Sequence, residues 1–169
     1  MKRLYLIFFL FFLFTKTALA DSSYVLPYPS AMPGNSLYKL HVLYEKLSRY
    51  WYFGDFGQSK YNLRYADKYL VEAKTLFEYK QYLLGYSALN KSNFYFQKIS
   101  QDLKNASENG KNISEKEALF REARERHVEV LKEIKTKTPK IFNWQPENDK
   151  ASILLIHELI DESVAIRSL

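Results

Sequence analysis

Apolar residues return every three or four positions along most of this chain, the period at which one face of an α-helix repeats. Leu37, Leu40, Leu43, Leu47 and Tyr50 form the first stripe, with Ser36 placed to cap it and Gly54 to end it. The spacing predicts a helix that faces a core. A short loop, Gly54 to Gly57, leads to a second helix over 59–84. Leu63, Ala66, Leu70, Ala73 and Phe77 share one of its stripes, and Tyr61, Tyr65 and Tyr69 stand four apart on the next. Gly85 reads as a break or a C-cap, or else as a permissive residue within a continuing helix. The third helix, over 86–108, carries Leu89, Phe96 and Leu103 one heptad apart, with Ile99 and Ala106 between them. After a turn at 109–112, Ser114-Glu115-Lys116-Glu117 has the form of a capping box opening a fourth helix to Lys137. Its stripe is Phe120, Ala123, His127, Val130 and Ile134, and Pro139 ends it. Residues 139–148 predict a longer loop whose Ile141, Phe142 and Trp144 tuck back onto the body. Asp149 is placed to cap a last helix over 151–167, with Ile153, Ile156, Leu159 and Ile160 inward.

Five helices, short connections and no alternating strand pattern predict an all-α fold, an antiparallel up-and-down bundle of about five helices over 36–169. No internal repeat of fixed period is visible. Ahead of the bundle, residues 21–35 hold Pro27, Pro29 and Pro33, which fix φ and push the preceding residues into extended conformations. They predict an arm, apolar enough at Tyr24, Val25, Leu26, Tyr28 and Met32 to lie against the helices. Residues 1–20 have a different character. Lys2 and Arg3 precede an uncharged apolar run from Leu4 to Phe14, and Ala18-Leu19-Ala20 comes before Asp21. That is the order of a secretory signal peptide cleaved after Ala20. The run is roughly half as long as a bilayer-spanning helix requires. Membrane contact is therefore expected only through the transient leader, and the mature chain is expected outside the cytoplasm, secreted or associated with the envelope.

Charge and cysteine content narrow the picture. The chain has 25 Lys and Arg against 19 Asp and Glu, a formal charge of +6. Lys2, Arg3 and Lys16 leave with the leader, so the mature balance is 22 against 19, or +3. That modest charge suits solubility and weak attraction to anionic polymers, and it does not form the clustered basic face of a nucleic-acid binder. There is no cysteine. Disulfides, thiol catalysis, Cys-ligated metals and a lipid-modified N-terminal Cys are all excluded, and packing alone must stabilise the fold.

Candidate chemistry is sparse. His41, His127 and His157 are the three histidines. His157, Glu158 and Asp161 come one residue short of a His-Glu-x-x-His zinc helix, with no third ligand downstream, which leaves a zinc-dependent hydrolase as the weakest reading. His127 sits on an apolar stripe and is expected to be a core-edge histidine bonded to a neighbouring helix; Arg124 stands where a di-metal Glu-x-x-His pair needs Glu. No nucleophile elbow, P-loop or dinucleotide fingerprint occurs. The alternating charges from Arg121 to Glu133 form a solvated, ion-paired face. The unusual feature is aromatic density. Tyr50, Trp51, Tyr52 and Phe53, with Tyr61, Tyr65 and Tyr69, are either core and loop packing or a binding surface for a carbohydrate or peptide.

Three segments resemble a known family. Tyr24-Val-Leu-Pro-Tyr-Pro-Ser-Ala-Met-Pro-Gly-Asn35 with Leu37-Tyr38-Lys39-Leu40, the Ala66-to-Leu76 stretch with its Ala-x-x-x-Leu-x-Glu-Ala pattern, and Arg126-to-Leu131 with Pro139 are similar to an exported bacterial family, domain of unknown function 5667. The resemblance implies an extracytoplasmic helical domain and supplies no assigned activity. The expectation is a non-enzymatic interaction or envelope-associated structural domain with an unknown protein or envelope partner and no cofactor. The alternative is a ligand-binding or sensor module with an aromatic-lined site.

Overall fold

The structure, a computed structural model, describes residues 24–147 and 150–168. The leader, its cleavage point at Ala20 and the expected cap at Asp149 lie outside them. The bundle is all-α, with one small antiparallel hairpin. Helix α1 is Tyr38–Ser48, continued by a 3₁₀ turn at Arg49–Trp51. Helices α2, Gly54–Glu78, and α3, Tyr82–Glu108, form the long hairpin at its centre. Helix α4 is Ser114–Lys137, strands β1 and β2 are Phe142–Trp144 and Ser152–Leu154, and α5 is Ile156–Ser168.

The largest apolar cluster joins Leu70, Leu76 and Phe77 of α2 to Leu89 of α3, Leu131 and Ile134 of α4, and Ile156 and Ile160 of α5. The stripes of the second and fourth helices face inward as the periodicity predicts, Leu63 only in part. Ala66, Phe96, Ile99, Leu103 and Phe120 make a second cluster, and Tyr61, Tyr65 and Tyr69 a third. The Pro-rich arm docks. Leu26 and Met32 pack on the main cluster, and the Tyr24 hydroxyl donates to Asp67 Oδ2 at 2.6 Å, whereas Val25 and Tyr28 stay exposed.

Four expectations are corrected. The first helix is turned over: Leu40 is 61 % exposed, Leu43 53 % and Leu47 50 %, while Glu45 and Ser48 are buried. The stripe was real, but the inward face is the polar one, because it meets tyrosine hydroxyls and not a hydrocarbon surface. The second helix begins at Gly54 and ends at Glu78, six residues before its expected end. Gln81 N–H donates to Leu76 C=O and Lys80 N–H to Phe77 C=O, a Schellman motif in which Lys80 takes φ +59°. Gly85 is instead buried within α3, where a Cβ would meet the Phe77 ring at 2.9 Å. In the third correction, Ile141 is exposed instead of tucked in, Phe142 and Trp144 belong to a strand, register Phe142 to Leu154, and Ile153 is exposed in β2 where the last helix was expected. The last concerns the caps. Asn35 Oδ1 accepts Leu37 N–H and Asn112 Oδ1 accepts Ser114 N–H, so asparagine side chains, not Ser36 or a Ser114–Glu117 box, hold the openings of α1 and α4.

Candidate functional site

Two constellations gather the polar chemistry. The first is a groove where the end of α1 and its 3₁₀ turn meet α2 and α3. The connection is held open by local bonds: Gln58 Nε2 donates to the carbonyls of Tyr52 and Arg49, and Arg64 donates to the Tyr52 hydroxyl at 3.0 Å. Gly57 is needed beneath it, because a Cβ would lie 2.8 Å from the Tyr52 carbonyl carbon. The resulting groove is about 750 Å³. Tyr50, Tyr52, Phe53, Tyr61, Phe94 and Tyr95 supply its aromatic surface; Lys46, Arg49 and Lys98 are its cations, and Asp102 its one acid.

Behind the groove the rings interlock. Tyr61 meets Tyr65 at 4.6 Å and Tyr52 at 5.4 Å, edge to face, and Tyr95 stacks on Tyr69 at 5.8 Å. Their hydroxyls are absorbed by α1. Tyr69 donates to Glu45 Oε2 at 2.6 Å, Tyr61 to the Glu45 carbonyl, and Tyr65 pairs with Ser48. Lys68 closes an ion pair with Glu45. Burial pushes the Tyr69 hydroxyl upward, reinforced by its bond to Glu45, so it remains a donor. Glu72, beside this cluster, accepts from Tyr38 at 2.9 Å through one oxygen; its other oxygen is buried without a hydrogen-bond partner among the described residues. Burial raises its pKa.

The expected binding surface is therefore divided. Tyr50, Tyr52, Phe53 and Tyr61 line the groove. Tyr65 and Tyr69 are core residues, 3 % exposed, and Trp51 lies outside the groove against Tyr44 at 6.0 Å. Sequence reasoning missed Phe94, Tyr95, Lys46, Arg49, Lys98 and Asp102 as groove residues, although the Phe94-Tyr95-Phe96 run is a signal. Lys98 sits 3.7 Å from the Phe94 ring centroid. Burial and then the neighbouring Arg49 cation hold its pKa below the ordinary lysine value. The Asp102 carboxylate nearby acts the other way on Lys98. Asp102 is raised by burial and accepts from Asn62 Nδ2 at 2.6 Å.

The second constellation is deep in the bundle. His127, fully buried, faces Asp67 Oδ1 through Nε2 at 2.7 Å and accepts from Arg167 Nε through Nδ1 at 3.0 Å. An accepting Nδ1 places the ring proton on Nε2, so a neutral imidazole bridges a carboxylate and a guanidinium. Burial lowers the pKa of His127, and the Asp67 hydrogen bond only partly opposes it. Arg167 also donates to Asn93 Oδ1, the Ser163 carbonyl and Ser92 Oγ, and burial brings its pKa down to about 9. Both ring nitrogens of His127 are engaged, which matches its expected role as a bonded core residue. It has no free lone pair to present to a substrate. The residues of the zinc reading are not brought together as ligands: His157 Nε2 is bonded to the Thr138 carbonyl, and Asp161 pairs with Lys135 at 2.5 Å.

Comparison with known proteins then assigns the chain. The profile of the family described as Domain of unknown function (DUF5667) matches residues 30–141, more than half of the sequence. The chain belongs to this family. Its match takes in the whole groove together with Asp67, Asn93 and His127, and it stops before β1 and α5. No curated protein and no solved structure matches the chain. The family carries no assigned activity.

Proposed function

We propose that this chain is a non-enzymatic interaction domain, exported and associated with the bacterial envelope, that binds an acidic glycan through the groove between α1, α2 and α3. One observation carries the reading. Exposed rings of Tyr50 and Phe53 stand beside Lys46, Arg49 and Lys98 around an open volume of about 750 Å³. Flat aromatic faces stack on sugar rings, and cations spaced along the same wall take their carboxylates. Amide side chains of Gln58, Asn62 and Gln101 complete the lining with groups that bond hydroxyls. Export is supported by the leader pattern of residues 1–20. The interaction reading is supported further by the two histidines whose partners are protein groups, His127 and His157.

Titration with a short oligogalacturonate, followed by calorimetry, tests the proposal against an uncharged oligosaccharide of the same length. The expected result is binding to the acidic sugar alone, weakening as salt rises. Lys98→Ala and Phe53→Ala, both at the groove, should each weaken it about tenfold, as the loss of one charge-assisted or stacking contact implies. Equal binding of both sugars, or no effect of either substitution, sinks it. Binding of an acidic peptide in place of the sugar would move the partner to the protein class.

A further inference from the structure

The outward face of α1 calls for a partner that the groove does not supply. Leu37, Leu40, Leu43, Leu47 and Trp51 are each at least half exposed, and none of them lines the groove. With Tyr44 they cover an arc of about 120° at 3.6 residues per turn. The opposite side of the helix is polar and spent on the bundle, through Glu45, Ser48 and Tyr38. Such a helix gains nothing from its apolar side in water. Contiguous exposed apolar surface of this kind marks a docking face.

We infer that this face rests on an anionic lipid surface, with α1 lying in the interface plane. Charge selects the occupant. Lys39 and Lys46, seven positions apart, run beside one border of the apolar arc, and both are exposed. The only acid in α1, Glu45, is buried and neutralised by Lys68. The face therefore presents cations and no anion, the arrangement that places lysine stems beside acyl chains and ammonium groups among anionic headgroups. A second copy of the chain would bring the same lysines against one another. Shape agrees: the face is the convex side of a single helix, which lipid accommodates and a protein could cover only with a matching groove. Trp51 and Tyr44 stand together at its C-terminal end, where amphipathic rings occupy the headgroup level. Among the described residues no helix is long and apolar enough to cross a membrane. The contact thus departs from the expectation that the membrane is met only through the leader; its leucine face lies outside the glycan groove, and Lys46 stands on the edge the two share.

The chain from Asp21 onward keeps every described residue and contact and serves for the test. Trp51 and Trp144 are the two tryptophans, so Trp144→Phe leaves Trp51 as the reporter. Vesicles of phosphatidylcholine containing phosphatidylglycerol should sediment the protein and shift Trp51 emission to the blue, and pure phosphatidylcholine vesicles should bind at least tenfold less. Leu40→Gln with Leu47→Gln should lower vesicle binding at least tenfold with the helical circular dichroism unchanged. Lys39→Ala and Lys46→Ala should each lower it about fivefold on the anionic vesicles. The double glutamine variant should bind the oligogalacturonate as the parent does, so failure at the membrane and failure at the groove are separately visible. The inference is overturned if anionic and neutral vesicles bind alike or not at all, or if the leucine and lysine variants bind as the parent. It is also overturned if the parent is a dimer in solution that the two glutamines dissociate.

Discussion

Arg167 donates its Nε–H to Nδ1 of His127 at 3.0 Å, and that bond decides which ring nitrogen carries the proton facing Asp67. Helices α2, α4 and α5 are thereby joined through one imidazole. Arg167→Ala removes the cation and strands His127, Asn93 and Ser92 in the core. Loss of one partner of a buried charged network costs about 3–5 kcal/mol, a large part of an ordinary domain's stability of about 5–15 kcal/mol. Urea unfolding should show the midpoint falling accordingly.

The same imidazole gives the fold an acid limit. The folded-state pKa of His127 lies below its ordinary 6.5, so the unfolded chain binds more protons as pH falls through 6.5. Stability then rises with pH in that window and declines on acidification, with a slope from this one group of up to about 1.4 kcal/mol per pH unit. Glu72 acts with the opposite sign. Its raised pKa stabilises the fold below the ordinary 4.5, and that contribution is lost as pH rises through the folded value. Glu72→Gln should therefore stabilise the protein at pH 8 relative to the parent and lose that advantage at pH 4. Melting curves of the two proteins at both values check the crossover.

Lys80 holds a left-handed conformation at the end of α2, with φ +59°, and is exposed. The equivalent position at the end of α3 is Gly110, φ +72°, in the same bonding pattern, Lys111 N–H to Ala106 C=O and Gly110 N–H to Ser107 C=O. Lys80→Gly should raise stability by about 1 kcal/mol, since only glycine takes this region without a Cβ penalty. A guanidinium titration showing no gain would contradict the account of the turn.

Gly85→Ala should do the reverse of what helix propensity suggests. Alanine in a helix interior is ordinarily about 1 kcal/mol better than glycine. Here the new methyl would press the Phe77 ring at 2.9 Å, and overpacking of that kind costs about 1–3 kcal/mol. The measured change in unfolding free energy should be destabilising.

The arm is anchored at its start by Tyr24 on Asp67 and farther along by Leu26 and Met32 on the core. Tyr24→Phe removes a hydrogen bond to a buried carboxylate, a loss of about 1.5–3 kcal/mol for a bond to a charged group. Amide exchange should quicken over 24–35 and remain slow in the interior of α3. Uniform quickening across all helices would show that the arm belongs to the cooperative core.

These cases explain what could be read along the chain. Phe120, Ala123, Val130 and Ile134 were legible because α4 packs hydrocarbon on hydrocarbon, so periodicity and burial coincide. In α1 they part company. Glu45 and Ser48 go inward because Tyr61, Tyr65 and Tyr69 present hydroxyls that need partners, and nothing local to 38–48 announces a polar inner face. Glycine is the usual sign of a helix break, and Gly85 carries that sign; the break falls at Lys80, which does the same work without it. His127 was visible on its stripe, yet Asp67 and Arg167 lie 60 and 40 positions from it, beyond any local spacing rule. The groove was legible in its near half, at Tyr50, Tyr52, Phe53 and Tyr61, and hidden in the half that α3 contributes.

The distance of Arg167 from its partners governs how the protein can be assembled. Asn93 and Arg167 are 74 positions apart. A nascent chain can zip α2 onto α3 early, through their short connection, but the acid at Asp67 has no counter-cation until the last helix has been delivered. Shortened products lacking α5 would retain an unneutralised carboxylate under the bundle and expose the Ile134 side of α4. Delivery of α5 and maturation of the interior thus become one event.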